Sequence, residues 1–307
     1  MMKKIFFIFL FMAAAVVAVF PFVLHVPAES VQGGVITVLI EDALPGEAFE
    51  FELVQGDDVH SRTNAFQTDV SVEDLFVGLL GVPSTLRPGA CRVSAVSADG
   101  EVHSSVIRIV QKTFISEDIP LSRSMSSLRQ SDDIRKAEQW RNLLVILKTA
   151  DSEHVFEDGG LDLPVKDYLR TSSFYGDRRR FVYDDGTTAR SIHNGIDYSA
   201  EPGTPIYAAG RGRIAFSGER IISGHTVVIE HLPGVYSLYY HMNSRTVDEN
   251  EMIEAGGLIG TVGATGLATG AHLHWEVRVG GVAVDPEPLM TGDIIDKDFI
   301  LSNIEEQ

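Results

Sequence analysis

His193-Asn194-Gly195-Ile196-Asp197 and Ala271-His272-Leu273-His274 set three imidazoles and one carboxylate at even spacings in segments rich in glycine and β-branched residues. Side chains on a strand alternate faces, so residues two or four apart project to the same side. The chain is thereby constrained to an arrangement of strands in which both pairs converge on one point. Imidazole and carboxylate donors together suit a zinc ion.

The lone cysteine, Cys91, excludes a disulfide within the chain and a thiolate metal site, so any metal must rest on histidine and carboxylate. With 307 residues there is room for about two domains. A formal net charge of -18 argues against a nucleic-acid partner and against adhesion to an anionic membrane or wall polymer. Lys3 and Lys4 precede an uncharged run over 5–24, which has the form of an export segment. Residues 1–28 are therefore expected to be a cleaved signal peptide or a retained membrane anchor. Val16-Val17-Ala18 and Val26-Pro27-Ala28 offer cleavage sites, and a run of ~20 residues is also long enough to span a bilayer once.

The expected fold is mainly β. Over 35–115, Phe49, Phe51 and Leu53 alternate with Glu50 and Glu52, and Cys91, Val93 and Ala95 alternate with Arg92 and Ser94. With turns at Leu44-Pro45-Gly46 and Arg87-Pro88-Gly89 and a hairpin at Asp99-Gly100, this predicts a β-sandwich-like N-terminal domain. A linker rich in serine and charge, within 116–160, leads to a connector helix over 132–148. Ser131 is its expected cap, and Ile134, Ala137, Leu144 and Leu147 its apolar stripe. From 163 to 290 the pattern predicts a Gly-rich antiparallel β domain, with hairpins at Leu232-Pro233-Gly234 and Gly280-Gly281. The acidic tail, 291–307, has no functional reading.

A catalytic zinc takes three N or O ligands and keeps a further position for water. His193, Asp197 and one or both of His272 and His274 supply such a set, and spacing alone leaves that choice open. His241, at the end of a second apolar run, is a candidate for proton transfer or oxyanion stabilisation. There is no His-Glu-x-x-His helix, so histidine must take the place of the glutamate base.

Three segments, His193 to Asp197, Tyr239-Tyr240-His241 and Thr269 to His274, resemble the signature segments of the M23 family of zinc metallopeptidases, the LytM or lysostaphin type. Gly203 to Ala209, Thr226 to His231, Ile259 to Gly266, Trp275 to Arg278 and Val284 to Pro286 also resemble that family, and the likeness covers 174–288. It implies a LytM-type fold for 163–290, one Zn2+ per chain held by His193, Asp197 and His274, and catalytic roles for His241 and His272. The implied substrate is bacterial peptidoglycan, cut at amide bonds of stem peptides or cross-bridges. The export segment is expected to take the protein to the cell envelope, and its acidity, with no basic wall-binding repeat, points to the periplasm of a two-membrane bacterium. Some domains of this type instead regulate other wall hydrolases after losing ligands, or bind wall, but no ligand position is lost here. A latent enzyme is a third reading, with the stretch from Tyr168 to Tyr183 over the groove.

Other residues have plainer readings. His225 and His231 are expected to be strand-end polar groups, and His25, His60, His103 and His154 surface or structural ones. Tyr175 or Arg178 either lines the cleft or belongs to a packed aromatic turn beside Gly176. Gly263, Thr265, Gly266 and Gly270 are expected to form turns that narrow the groove wall.

Overall fold

The structure, a computed structural model, describes residues 22–43, 47–67, 75–149, 154–157 and 159–304. Most of the expected export segment and the turn at Leu44-Pro45-Gly46 lie outside the described residues. Among the described residues no helix is long and apolar enough to cross a membrane.

The N-terminal half comprises β1 (Val23–His25), β2 (Glu29–Val31), β3 (Val35–Glu41), β4 (Phe49–Gln55), β5 (Asp58–Asn64), β6 (Phe76–Gly81), β7 (Gly89–Ser97) and β8 (Val102–Val110). Two sheets, ordered β1-β3-β6 and β2-β8-β7-β4-β5, pack face to face. The alternating apolar residues of β4 and β7 point inward onto Ile36, Val38 and Ile40 of β3, as their period of two requires. At Gly78 a Cβ would lie 2.1 Å from the Phe51 ring, so only glycine lets β6 pass this close. β1 places the sandwich's first strand upstream of residue 35 and takes in Val23 and Leu24 of the apolar run.

β3 and β6 are buried almost throughout because they are covered on both faces. Their second set of side chains, Leu39, Val77 and Leu79, enters the core of the C-terminal half.

The connector holds β9 (Ser116–Pro120), α1 (Arg123–Gln130) and α2 (Ile134–Lys148). The first two elements fall where the composition suggested only a linker. Ser131 closes α1, and Asp133 caps α2 instead, its carboxylate accepting from the Arg135 amide at 3.0 Å. Of the expected stripe Leu147 is buried, but Ala137 faces solvent and Leu143 takes the place of Leu144. Ile134 is 68% exposed, whereas Leu143 and Leu147 seat α2 on Val228, Tyr236 and Leu238. An apolar-rich helix offers more than one i, i+4 frame, and the sheet face it meets selects among them.

The C-terminal half continues with β10 (Arg170–Ser173), β11 (Arg178–Val182), β12 (Thr188–Ile192), β13 (Ile196–Ser199), β14 (Pro205–Tyr207), β15 (Gly212–Arg220), β16 (Gly224–Leu232) and β17 (Val235–Arg245). After these come β18 (Met252–Ile253), β19 (Leu258–Val262), β20 (His272–Val279), β21 (Val282–Val284), α3 (Pro286–Leu289) and α4 (Lys297–Ile304). The main antiparallel sheet runs β10-β13-β20-β17-β16-β15-β18, with β19 bridging β14 to β17. Both expected hairpins form, β16–β17 and β20–β21. A separate small sheet has β11 in its centre, antiparallel to β12 and parallel to β9. The tail docks through buried Ile294, Ile295 and Ile300, and the Asp296 amide donates to Thr37 Oγ1 at 3.1 Å.

His231 stands at the end of β16 as expected, but it is fully buried. Its Nδ1 lies 2.8 Å from the Arg211 carbonyl oxygen and its Nε2 2.7 Å from Ser237 Oγ, which satisfies a neutral ring. Burial lowers its pKa from 6.5 to about 4. The folded value lies below the unfolded one, so the unfolded chain takes up the proton first as pH falls. The stability is complete above 6.5 and is lost as pH falls from there toward about 4. Between neutral pH and about pH 5, urea unfolding is expected to show the native chain losing on the order of 2 kcal/mol more than a His231→Gln variant. Equal losses would remove the acid penalty from this imidazole.

Candidate metal centre

β13 and β20 pair antiparallel with Asp197 directly opposite His274. Ile196, Tyr198, Leu273 and Trp275 point into the core. Asp197, His272, His274 and Glu276 therefore share the other face. The HxH spacing works as expected, but His193 departs from the sequence expectation. It lies in the bend between β12 and β13 rather than on a strand. Backbone contacts hold it there: its amide donates to Asp177 O at 2.9 Å and its own carbonyl accepts from the Gly176 amide at 2.7 Å. A Cβ at Gly195 would lie 2.2 Å from the Trp275 carbonyl oxygen, so glycine lets this bend close onto β20.

Three donor atoms converge. His193 Nε2 lies 3.0 Å from Asp197 Oδ1 and 2.9 Å from His274 Nδ1, and His274 Nδ1 is 2.7 Å from the same Oδ1. The opposite nitrogens are both engaged. His193 Nδ1 lies 2.8 Å from Phe174 O, and His274 Nε2 lies 3.0 Å from Glu276 Oε1, so each donates outward and directs a lone pair inward. Two imidazole lone pairs and a carboxylate oxygen, all buried and facing one point, call for a cation between them. This donor set fits Zn2+.

The charges agree. Burial favours a neutral Asp197, yet the His193 and His274 rings hold it well below the usual carboxylate range. Burial opposes protonation of His274, but Asp197 and Glu276 outweigh it and lift its pKa to about 9. His193 is pushed down, chiefly by burial. Glu276 would be raised by burial, but Arg278 and His274 bring it to about 2. Arg278 donates through Nε to Glu276 Oε2 at 2.7 Å.

His241 and His272 border the same cleft of about 390 Å³. His241 follows Tyr240, which is registered opposite His274 and stacks on it with centroids 5.3 Å apart. Strict alternation would turn His241 away, but its φ of +59 breaks the period and brings its ring within 4.8 Å of His272. Positive φ is costly for a non-glycine residue, and the fold holds it with a hydrogen bond from the His241 amide to Ser223 O at 2.8 Å. Its Nδ1 lies 2.8 Å from Thr265 O, and Nδ1 of His272 lies 2.9 Å from Gly270 O. Burial first, then His272 and His274, lower the His241 pKa to about 3.

The opposite wall comes from the small sheet, through Glu117, Arg179 and Phe181. Tyr175 is a packed core residue donating to Ala283 O at 2.8 Å, and Arg178 stacks on Phe114 and bonds Ser84, so neither borders the metal cleft. His225 lies apart, its Nδ1 3.0 Å from Asn243 O. Sequence reasoning placed Glu276 and Tyr240 in family-like segments without a role, and passed over Arg179 and Glu117. Only Glu276, two residues beyond His274 on one strand, carried a local signal.

Residues 191–286 match the sequence profile of Peptidase family M23. The DD-carboxypeptidase/endopeptidase Mpg of Neisseria meningitidis serogroup B is 39% identical over 136 residues, 44% of this chain and 30% of its own length. The peptidoglycan DD-endopeptidase ShyC of Vibrio cholerae is 38% identical over 120 residues, 39% of this chain and 27% of its own. The chain thus spans less than a third of the length of these relatives. A solved chain from Pseudomonas aeruginosa described as a peptidase M23 superposes with a TM-score of 0.61 at 23% identity, covering 85% of this chain and 94% of that one. At that identity it shows a shared fold across both halves.

Glu276→Gln keeps an acceptor for His274 but strips buried Arg278 of its counter-charge. Denaturant unfolding is expected to show a loss of about 3–5 kcal/mol. A loss below about 1 kcal/mol would mean the pair is in effect solvated.

Proposed function

We propose, from the match of residues 191–286 to peptidase family M23, that this chain is an exported zinc endopeptidase that hydrolyses peptide bonds in bacterial peptidoglycan, in stem peptides or cross-bridges. The observation that carries this is the inward convergence of His193 Nε2, Asp197 Oδ1 and His274 Nδ1 beside two further histidines on one cleft. The names of the relatives support the substrate class. Lys3, Lys4 and the apolar run over 5–24 support export, by signal peptide or anchor.

His193, Asp197 and His274 would hold the metal, which when bound polarises the scissile carbonyl and acidifies a water. The chain's own contribution lies in His241 and His272. Both rings spend Nδ1–H on a backbone carbonyl, which leaves Nε2 as the acceptor. His241 stays neutral through the physiological range because its pKa is pushed to about 3. In this reading one Nε2 takes the proton of the attacking water, and the ring so protonated donates its new Nε2–H to the oxyanion or the leaving amine. The outer bonds at Thr265 and Gly270 prevent the rings from flipping between tautomers.

Purified protein is expected to contain one zinc per chain and to release new amino groups from purified sacculi. His241→Ala is expected to keep the zinc and lose cleavage by about 10²–10⁴-fold. Zinc uptake without cleavage across the neutral range would turn the reading toward a wall-binding or regulatory module. Zinc is also expected to dissociate as pH falls below the imidazole range, since ligand rings must be deprotonated at the metal-facing nitrogen. Titration with a metal indicator checks this, and an affinity flat into acid would exclude histidine ligation.

A further inference from the structure

Oδ1 of Asp197 faces the two imidazoles, but its second oxygen is also taken. Oδ2 accepts from Nη2 of Arg179 at 2.6 Å. The same guanidinium donates through Nε to Glu117 Oε1 at 2.9 Å, and Ser173 Oγ donates to that oxygen at 3.1 Å. Arg179 is thus forked between two carboxylates on different strands, with only 16% of its side chain exposed. Backbone pairing sets the fork, because Arg179 on β11 is registered opposite Glu117 on β9 in the parallel pair.

We propose that Arg179 is a positioning residue of the metal centre, resting on the zinc reading above. By occupying Oδ2 it prevents Asp197 from turning that oxygen inward, so the carboxylate offers the metal Oδ1 alone. Glu117 fixes Arg179 in turn. The small sheet therefore does more than wall the cleft. β9 lies upstream of the residues that match the family profile, so a strand of the connector completes the centre. The planar fork suits two acceptors at once, which a lysine ammonium cannot reproduce.

The sign of the effect separates positioning from mere charge. A cation this near a divalent metal repels it, so if charge were all that mattered, removing Arg179 would tighten zinc binding. If Arg179 orients Asp197, its removal loosens binding. Zinc affinity of the full chain, measured near neutral pH by competition with a chromophoric chelator, reads this directly. The visible absorption of the Co2+-loaded protein reads ligand geometry. Arg179→Met is expected to weaken zinc binding by about 10–100-fold. Cobalt absorption should fall as the freed carboxylate donates through both oxygens. Arg179→Lys, which keeps the charge and guards against a folding failure of the first variant, is expected to weaken binding as well. Glu117→Gln should give a smaller loss, and combining it with Arg179→Met should add nothing. Native or tighter zinc binding in both Arg179 variants, with an unaltered cobalt spectrum, would overturn this inference alone. A native chain that takes up no zinc would overturn the metal reading beneath it.

Discussion

The register between β13 and β20 is the constraint on which the centre depends. A slip of one residue would carry Asp197 into the core and Tyr198 into the cleft, because strand side chains alternate with a period of two. What forbids the slip is not the metal chemistry but the other face of the same strands. Ile196, Tyr198, Leu273 and Trp275 are all buried there. Apolar packing on one side thereby aims polar donors on the other, and the carboxylate meets His274 without any choice left to a flexible loop.

Orientation within that frame comes from a ring of outer hydrogen bonds. Carbonyls of Phe174, Thr265 and Gly270 take Nδ1–H from His193, His241 and His272, while Glu276 takes Nε2–H from His274. His274 is thus the one of these four rings that turns its Nδ1 toward the centre. The partners are mostly backbone, which is why few of them could be named from side-chain chemistry. His241 adds a local cost in its left-handed backbone, retained where it brings two imidazoles onto one side of the cleft.

What could be read from the chain divides along distance. The HxH pair and Asp197 were legible because alternation on a strand is a local rule, and the sandwich strands β4 and β7 were legible for the same reason. His193 converged with them for a different cause, since tertiary contacts rather than strand period hold it in its bend. The connector departs from its sequence reading in several places. β9 is short and polar and becomes a strand only by adding to β11, and the frame of α2 is chosen by the sheet beneath it. Arg179 and Glu117, 62 residues apart, carry no mutual signal in sequence. The burial of His231, expected only as a strand-end polar group, depends on strands that only the finished sheet brings around it.

The sheet formed by β1, β3 and β6 has no face turned to water along its central strands, since it is lined by one core on one side and by a second on the other. Severing the molecule there would expose a slab of leucine and valine on each fragment. Neither piece could be cut out and remain soluble without resurfacing, so the front half is no detachable accessory.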